Sequence, residues 1–305
     1  SKLGLDRDAV VTWLDASAKA GKIAAGNVKL TPRGERKYEI QPTLDFMRVE
    51  VYHKALMETD KQVYWLERGI YCSTMERFKL GYNAEWHRFT IPSMNHVGVY
   101  GVKQRRDVSW SRLDFLAKAE YWLVAQLDKL SESRRHQSDR LGVDLPIPTP
   151  EDIFDKEYPK YVWHKNPCVW FVNEDRLMID KGSWLPYVLI TADEASMMTL
   201  EQNGYYSVCM PSDSNFPGRN DVILYHYGDK ISQIRVRDVF RHVACPIFIA
   251  DNDDSGVAAA QRRREAVSAG RGDILQVPRG KDPNDFYIGG GSLEDWLPNL
   301  PRFVP

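Results

Sequence analysis

The feature that most constrains the fold of this chain is a regular alternation of strand-like and helix-like segments that begins at residue 187. Short apolar runs are typical of buried strands, and they occur at 187–191, 205–210, 245–250 and 273–277. The segments between them predict helices at about 194–202, 236–243 and 256–267. Strands that are apolar throughout and alternate with helices favour a mostly parallel sheet covered on both faces. The fold class is therefore predicted to be α/β.

The sequence upstream of this alternation is less regular and predicts a smaller α+β unit. Its predicted elements are helices at 49–66 and 73–80 and strands at 86–91 and 97–102 around a P-S-M-N turn. Ser73, followed three residues later by Glu76, predicts a capping box at the start of the second helix. A further helix is predicted at 110–130, followed by a polar and then a proline-rich stretch. The region of about 110–155 is therefore interpreted as an insertion or linker.

Composition excludes several classes of protein. The chain has 305 residues, 43% of them hydrophobic and 27% charged, and no apolar run is long enough to span a membrane. Charged residues interrupt the first 15 residues, so no signal peptide is predicted and a cytoplasmic location in a bacterial or phage-infected cell is expected. The formal net charge is −1, so a nucleic-acid partner must be bound by a local patch. The four cysteines form no C-x-x-C pair, which disfavours a zinc site.

Acidic residues follow three of the predicted strands. Asp251 and Asp253 come directly after strand 245–250, residues 281–285 (K-D-P-N-D) follow the next strand, and residues 191–196 contain a third acidic turn. The carboxyl ends of parallel strands meet at one edge of a sheet, where such folds bind ligands. Oxygen ligands of this kind suit Mg²⁺ or Mn²⁺. The equally weighted alternative is that Asp251–Ser255 form only a turn and a helix cap.

Taken together, these motifs resemble the TOPRIM fold that bacterial and phage replicative primases share with topoisomerases and some nucleases. The K-D-P-N-D loop favours the primase branch. Three upstream segments are also similar to primase sequences: Arg68-Gly69-Ile70 with the L-G-Y that ends at Tyr82, the strands around Phe89–Pro92 and Gly98–Arg105, and Pro159-Lys160-Tyr161. The resemblance covers about residues 65–105 and 158–288.

The resemblance implies roles for particular residues. It implies that Asp251, Asp253 and Asp282 bind metal and that the first two are catalytic. The position of the family's catalytic glutamate is occupied by Ala192, with Glu194 as the nearest remaining carboxylate, and the family's later aspartate is replaced by Ser196. The residues expected to contact nucleic acid or nucleotide are Lys103, Arg105, Arg106, Lys160, Asn284 and Asp285.

The implied function is that of a DNA primase catalytic core, a nucleotidyltransferase that makes short RNA primers on single-stranded DNA from ribonucleoside triphosphates with Mg²⁺ or Mn²⁺. No zinc-binding cysteine pattern and no G-x-x-x-x-G-K-[ST] loop occurs, so a separate zinc-binding module and a replicative helicase are expected partners. Two alternatives remain at this point. One is a TOPRIM nuclease, and the other is a degenerate nucleic-acid-binding TOPRIM domain, for which Ala192 and Ser196 are the motivating residues.

The predicted domain organisation has four parts. They are an N-terminal helical or linker region at 1–64, a primase-type α+β subdomain at 65–185, a TOPRIM domain at 186–290 and a C-terminal tail at 291–305.

Overall fold

The structure is a computed structural model of the chain. It describes residues 37–40, 46–95, 98–118, 120–164, 172–173, 177, 184–210, 220–227, 230–268 and 270–303. Most of the predicted 1–64 region, namely residues 1–36 and 41–45, lies outside these described residues. Within them, Val108–Lys160 form one compact unit and the other residues form a second. The predicted boundaries at 64, 185 and 290 stay predictions.

The strands are β1 (Lys37–Ile40), β2 (Gly81–Asn83), β3 (Arg88–Asn95), β4 (Gly98–Arg106), β5 (Tyr161–His164), β6 (Leu185–Thr191), β7 (Ser207–Cys209), β8 (Val222–Tyr227), β9 (Lys230–Arg235), β10 (Val243–Ala250) and β11 (Asp273–Gln276). The helices are α1 (Phe46–Met57), α2 (Val63–Leu66), α3 (Cys72–Arg77), α4 (Val108–Ala117), α5 (Glu120–Leu141), α6 (Pro150–Glu157), α7 (Glu194–Gln202), α8 (Asp254–Ser268), α9 (Pro283–Ile288) and α10 (Leu293–Trp296). Single 3₁₀ turns lie at Asp60–Gln62 and Val236–Asp238.

The predicted parallel sheet is confirmed, with strand order β11-β10-β6-β7 and every pair parallel. Alternate residues of its two central strands enter different hydrophobic clusters. One cluster contains Val188, Ile190, Phe248 and Ala250. The other contains Tyr187, Leu189, Ile247 and Ile249. Both faces of the sheet are therefore buried, which is why these strands read as continuous apolar runs.

Several upstream predictions are corrected. The predicted helix 49–66 is two helices, α1 and α2, separated by a 3₁₀ turn that the Thr59 side chain caps. Helix α3 starts at Cys72 with Tyr71 as a cap that makes no side-chain bond, so the predicted Ser73 capping box is wrong. The Glu76 carboxylate is used elsewhere, because it contacts His53 and Lys79.

The P-S-M-N segment is not a turn. It lies inside β3, where Pro92 pairs with Val102 of β4 in an antiparallel sheet of order β2-β3-β4-β5. A third sheet, of order β1-β8-β9, was not predicted. The helix expected at 236–243 is reduced to the 3₁₀ turn Val236–Asp238, because Val243 already begins the buried strand β10.

The unit Val108–Lys160 is helical. The helix predicted at 110–130 is two helices, α4 and α5, and the polar stretch interpreted as a linker is the second half of α5. These helices and α6 pack around a small core of Phe115, Ile153, Phe154 and Tyr158. The insertion therefore has a hydrophobic core of its own. None of the described helices is both long and apolar enough to cross a membrane.

Candidate active site

Carboxylates follow the carboxyl ends of three adjacent strands in the parallel sheet, and we call this set the acidic edge: Asp193 after β6, Asp251 after β10 and Asp282 beyond β11. Partial burial is the larger cause and the negative charge of Asp193 is the second, and together they raise the pKa of Asp251 to about 6. The same two causes, in the same order, raise the pKa of Asp282 to about 6. The three carboxylates are thus close enough to repel one another.

Hydrogen bonds hold the second and third loops of this edge together. The backbone N–H of Asn252 donates to the carbonyl of Lys281 at 2.8 Å, and the Gln276 side-chain amide donates to Asn252 Oδ1 at 2.9 Å. Gly256 lets the following helix approach Asp251, since a Cβ at this glycine would lie 2.6 Å from the Asp251 carbonyl oxygen. These contacts bring Asp251 and Asp282, which lie 31 residues apart in the sequence, to one place.

Asp253 is exposed and also serves as a cap. Its Oδ1 accepts hydrogen bonds from Ser255 Oγ and from the Gly256 N–H, both at 2.6 Å. These bonds stabilise the ionised form and lower the pKa of Asp253. The predicted helix cap is therefore made by Oδ1 of Asp253. Asp253 differs from the partly buried Asp251 in its exposure and in the direction of its pKa shift.

The acidic turn after β6 differs in detail from the sequence expectation. Ala192, at the position of the expected glutamate, is followed by Asp193, whose Oδ1 accepts from the Ser196 N–H at 2.9 Å and so caps α7. Burial raises the pKa of Asp193. The sequence places Asp193 within the acidic turn 191–196, but no role is predicted for it from sequence. An aspartate that comes directly before a helix and after a buried strand was the available signal.

Glu194 and Lys103 bind each other. The Lys103 ammonium lies 2.7 Å from Glu194 Oε1 and 2.9 Å from Oε2. The exposed fractions of the two side chains are 9% for Lys103 and 3% for Glu194. Burial lowers the pKa of Lys103, but the combined interactions with Glu194, Cys209 and Tyr161 outweigh this effect and the net direction is upward. Both charges are therefore neutralised inside the protein.

Basic and aromatic side chains beside this ion pair form what we call the cation–aromatic surface: Tyr64, Arg68, Arg105 and Tyr161. The Arg68 guanidinium lies 4.6 Å from the centre of the Tyr64 ring. The Arg105 guanidinium lies 5.5 Å from the centres of both the Tyr64 and Tyr161 rings. Of the predicted basic residues, Arg105 lies on this surface. Arg106 is half-buried at the end of β4, and Lys160 is exposed in the helical unit.

The two remaining predicted residues occupy helix α9. Asn284 is buried, and its side-chain amide donates to the Arg68 carbonyl at 2.7 Å and to Thr199 Oγ1 at 2.8 Å. Asp285 is exposed, and its backbone N–H donates to Asp282 Oδ1 at 2.8 Å. Asn284 thus connects the R-G-I loop to α7, whereas Asp285 lies at the outer side of the acidic edge.

Within the described part of the chain, no three or more His, Cys, Asp or Glu residues are arranged to hold a metal ion as they stand. The chemistry of the acidic edge nevertheless fits a divalent cation. Its donors are carboxylate oxygens, which Mg²⁺ and Mn²⁺ prefer. Burial and the negative charge of Asp193 raise the pKa of both Asp251 and Asp282, and for Asp251 the opposing charges of Lys281 and Arg263 compensate this only in part.

Comparison with known proteins gives matches among solved structures. No protein-family model and no curated protein matches the chain. A DnaG catalytic core has 16% sequence identity and a TM-score of 0.50, with 84% of this chain and 79% of that chain covered. A DnaG primase catalytic domain bound to single-stranded DNA has 14% identity and a TM-score of 0.50, with 84% and 80% covered. A DNA primase domain from Pseudomonas aeruginosa has 14% identity and a TM-score of 0.50, with 84% and 78% covered.

The chain has the fold of a DnaG primase catalytic core. The expected resemblance is therefore confirmed for the fold, and the coverage of 84% shows that it extends over most of the chain. In this primase-type fold the acidic edge lies at the carboxyl ends of the parallel strands, where α/β sheets generally bind ligands.

Proposed function

We propose that this chain synthesises short RNA primers on single-stranded DNA. The observation that carries the proposal is the acidic edge, a set of partly buried, mutually repelling carboxylates at the carboxyl ends of parallel strands in a primase-type fold. A protein gains little from such repulsion unless a ligand relieves it. A divalent cation with a bound triphosphate is the ligand whose charge and donor preference match these groups.

The proposed roles of the acidic residues follow from their surroundings. Asp193, Asp251 and Asp282 supply oxygen ligands, and Asp253 adds the oxygen that does not cap α8. A divalent cation bound here supplies neutralising charge for nucleotidyl transfer, in which catalysis is mostly positioning and charge stabilisation. Asp193 stands next to Ala192 and provides the carboxylate that the alanine lacks.

The cation–aromatic surface is the proposed contact for single-stranded DNA template. Single strands are bound by positive groups along the backbone and by aromatic rings on which bases stack. Arg68 and Arg105 supply positive charge, and the half-buried Tyr161 ring supplies the aromatic component. The Tyr64 ring is stacked on Phe89 with a centroid distance of 4.0 Å and supports the two arginines. One similar primase domain was solved with single-stranded DNA bound. Arg106, Lys160 and Asp285 are further proposed contacts, whereas Lys103, Glu194 and Asn284 are bound to protein partners.

Primer synthesis is tested by incubating the chain with single-stranded DNA, labelled ribonucleotides and Mn²⁺ or Mg²⁺. We expect metal-dependent oligoribonucleotides whose formation is lost in Asp251→Asn and Asp282→Asn proteins. Asp273→Asn is the matched control, because Asp273 is an exposed carboxylate at the opposite, amino end of β11. Cleaved DNA without new RNA would replace the proposal with a nuclease. DNA binding without any product would replace it with a degenerate binding domain.

A second experiment tests the role of Asp193. If Asp193 supplies the carboxylate missing at Ala192, Asp193→Asn removes primer synthesis and the added change Ala192→Glu restores part of it. Full activity in the Asp193→Asn protein would overturn this assignment.

A further inference from the structure

One buried ion pair lies where the acidic edge meets the cation–aromatic surface. Lys103 is on β4, and Glu194 is the first residue of α7, directly after the acidic-edge residue Asp193. The Lys103 ammonium contacts both Glu194 oxygens and also lies 4.3 Å from the centre of the Tyr161 ring. A single side chain therefore contacts both regions.

Burial of this ion pair costs desolvation free energy, so its presence requires an explanation other than stability. Both charges are almost completely removed from water, and two well-packed apolar residues would often stabilise a protein at least as well as such a pair. Because the Lys103 ammonium binds both carboxylate oxygens of Glu194, the ion pair fixes the geometry of the two side chains. Here it fixes the first turn of α7 against β4.

Asp193 is the residue whose position depends on this geometry. Its backbone is held from one side by Thr191, whose hydroxyl donates to the Asp193 carbonyl at 2.8 Å. Its carboxylate is held by the Ser196 N–H at 2.9 Å, within the same helical turn that Glu194 begins. Displacement of this turn would move the Asp193 carboxylate relative to Asp251 and Asp282.

We propose that Lys103 and Glu194 are positioning residues that set the place of Asp193 in the acidic edge relative to the cation–aromatic surface. The proposal rests on the proposed function for its consequence in metal binding, but the positioning itself is a property of the metal-free protein. Neither residue needs to touch substrate for this role.

The first test measures amide hydrogen exchange in the metal-free full chain. We compare the parent with the Lys103→Met/Glu194→Met double variant, which leaves no buried charge unpaired. The reporting amides are those of Ser196 and Met197, which donate to the Asp193 carboxylate and carbonyl. Positioning predicts exchange at these two amides that is about tenfold faster or more, with residues 199–203 unchanged, because local opening free energies differ along a structure. Unchanged exchange at Ser196 and Met197 would overturn the proposal.

The second test measures Mn²⁺ affinity by calorimetry. We expect the double variant to bind Mn²⁺ more weakly by a factor of about five or more. The reason is that loss of a group that holds a metal ligand in place lowers the affinity for the metal. Lys103→Arg keeps the charge and is expected to retain the parent affinity. Parent-like affinity in the double variant would overturn the proposal.

Two further proteins separate the possible outcomes. Arg77→Met breaks the ion pair at the far end of α7 and is expected to leave Mn²⁺ affinity unchanged. Glu194→Gln keeps the shape of the side chain and is expected to weaken Mn²⁺ binding less than the double variant does. Its Mn²⁺ affinity tests the proposal if the double variant does not fold. If the parent chain itself binds no Mn²⁺, the proposed function fails, while the exchange measurement still decides the positioning.

Discussion

Each end of helix α7 carries a buried glutamate that is paired with a basic side chain, in different surroundings. At the amino end Glu194 binds Lys103 beside the acidic edge, and at the carboxyl end Glu201 binds Arg77 at 2.6 Å. Glu201 also accepts a hydrogen bond from the Ser207 N–H at 2.8 Å. The carboxyl end thus joins α7 to β7 and α3, whereas the amino end places a carboxylate at the acidic edge.

The comparison shows why buried charge alone does not identify a functional group. Both glutamates are buried, and each is paired with a basic side chain. The residue that distinguishes the amino end is Asp193, whose carboxylate accepts a hydrogen bond from the Ser196 N–H. The charge of Asp193 repels the carboxylates of Asp251 and Asp282. Function is therefore expected at one end of the helix and stability at the other.

The largest expected effect is that of Asp193→Asn. Asparagine caps helices as well as aspartate does, so α7 should persist, while loss of the charge should reduce primer synthesis by about 100-fold or more. Since the pKa of Asp193 is raised in the folded protein, its charge opposes folding at neutral pH. In EDTA the variant should therefore be more stable than the parent at pH 8, and this gain should fade as the pH falls towards the ordinary aspartate value of about 3.9. Urea unfolding at several pH values measures it.

A second prediction concerns the free energy of unfolding at the two ends. Lys103→Met leaves Glu194 buried without its partner and should cost about 3–5 kcal/mol. Arg77→Met should cost less, about 1–2 kcal/mol, because Arg77 is 37% exposed and Glu201 keeps its hydrogen bond from Ser207. Urea titration of both variants checks the order. Equal losses would show that the two pairs are energetically equivalent.

Asn284→Asp provides a third prediction. The change removes the amide donor to Arg68 and Thr199 and places a carboxylate against their oxygens, so we expect a loss of about 2 kcal/mol. Mn²⁺ affinity should not rise, although the substitution adds an acid close to Asp282. Asp285→Asn, an exposed neighbour, should change stability by less than about 0.5 kcal/mol. Tighter metal binding by the Asn284→Asp protein would instead show that position 284 belongs to the acidic edge.

The smallest effect is expected for Tyr71→Phe. The hydroxyls of Tyr71 and Tyr287 lie 2.6 Å apart on the surface near the carboxyl end of α7. Tyr71 is 49% exposed, so water replaces the lost bond, and we expect a change of about 0.5 kcal/mol or less in the free energy of unfolding. Primer synthesis should stay at the parent level. A loss of synthesis would extend the functional surface to this end of the helix.

Helix α7 and the strands of the parallel sheet were predicted closely from sequence. The helix predicted at 194–202 has those bounds in the structure, because two apolar strands and Gly204, with a φ of 85°, delimit it. The helical unit was predicted poorly. The second half of α5 is polar, and it joins the folded unit through contacts that the sequence does not reveal, such as the ion pair between Arg134 and Asp152 of α6. The P-S-M-N segment is typical of a turn but is held in β3 by pairing with β4.

Of the candidate site, the sequence by itself determined Asp251 and Asp282, since acidic loops that follow neighbouring parallel strands must meet at one edge of the sheet. The different surroundings of Asp193 and Glu194, on which the proposed choice between them rests, are present only in the tertiary structure. Glu194 pairs with a lysine 91 residues away, and Asn284 binds a carbonyl 216 residues away. Local sequence patterns give the periodicity of strands and helices. A side chain that lies so far away in the sequence comes into contact with its partner only once the chain has folded. That is why adjacent residues of one acidic turn have different surroundings.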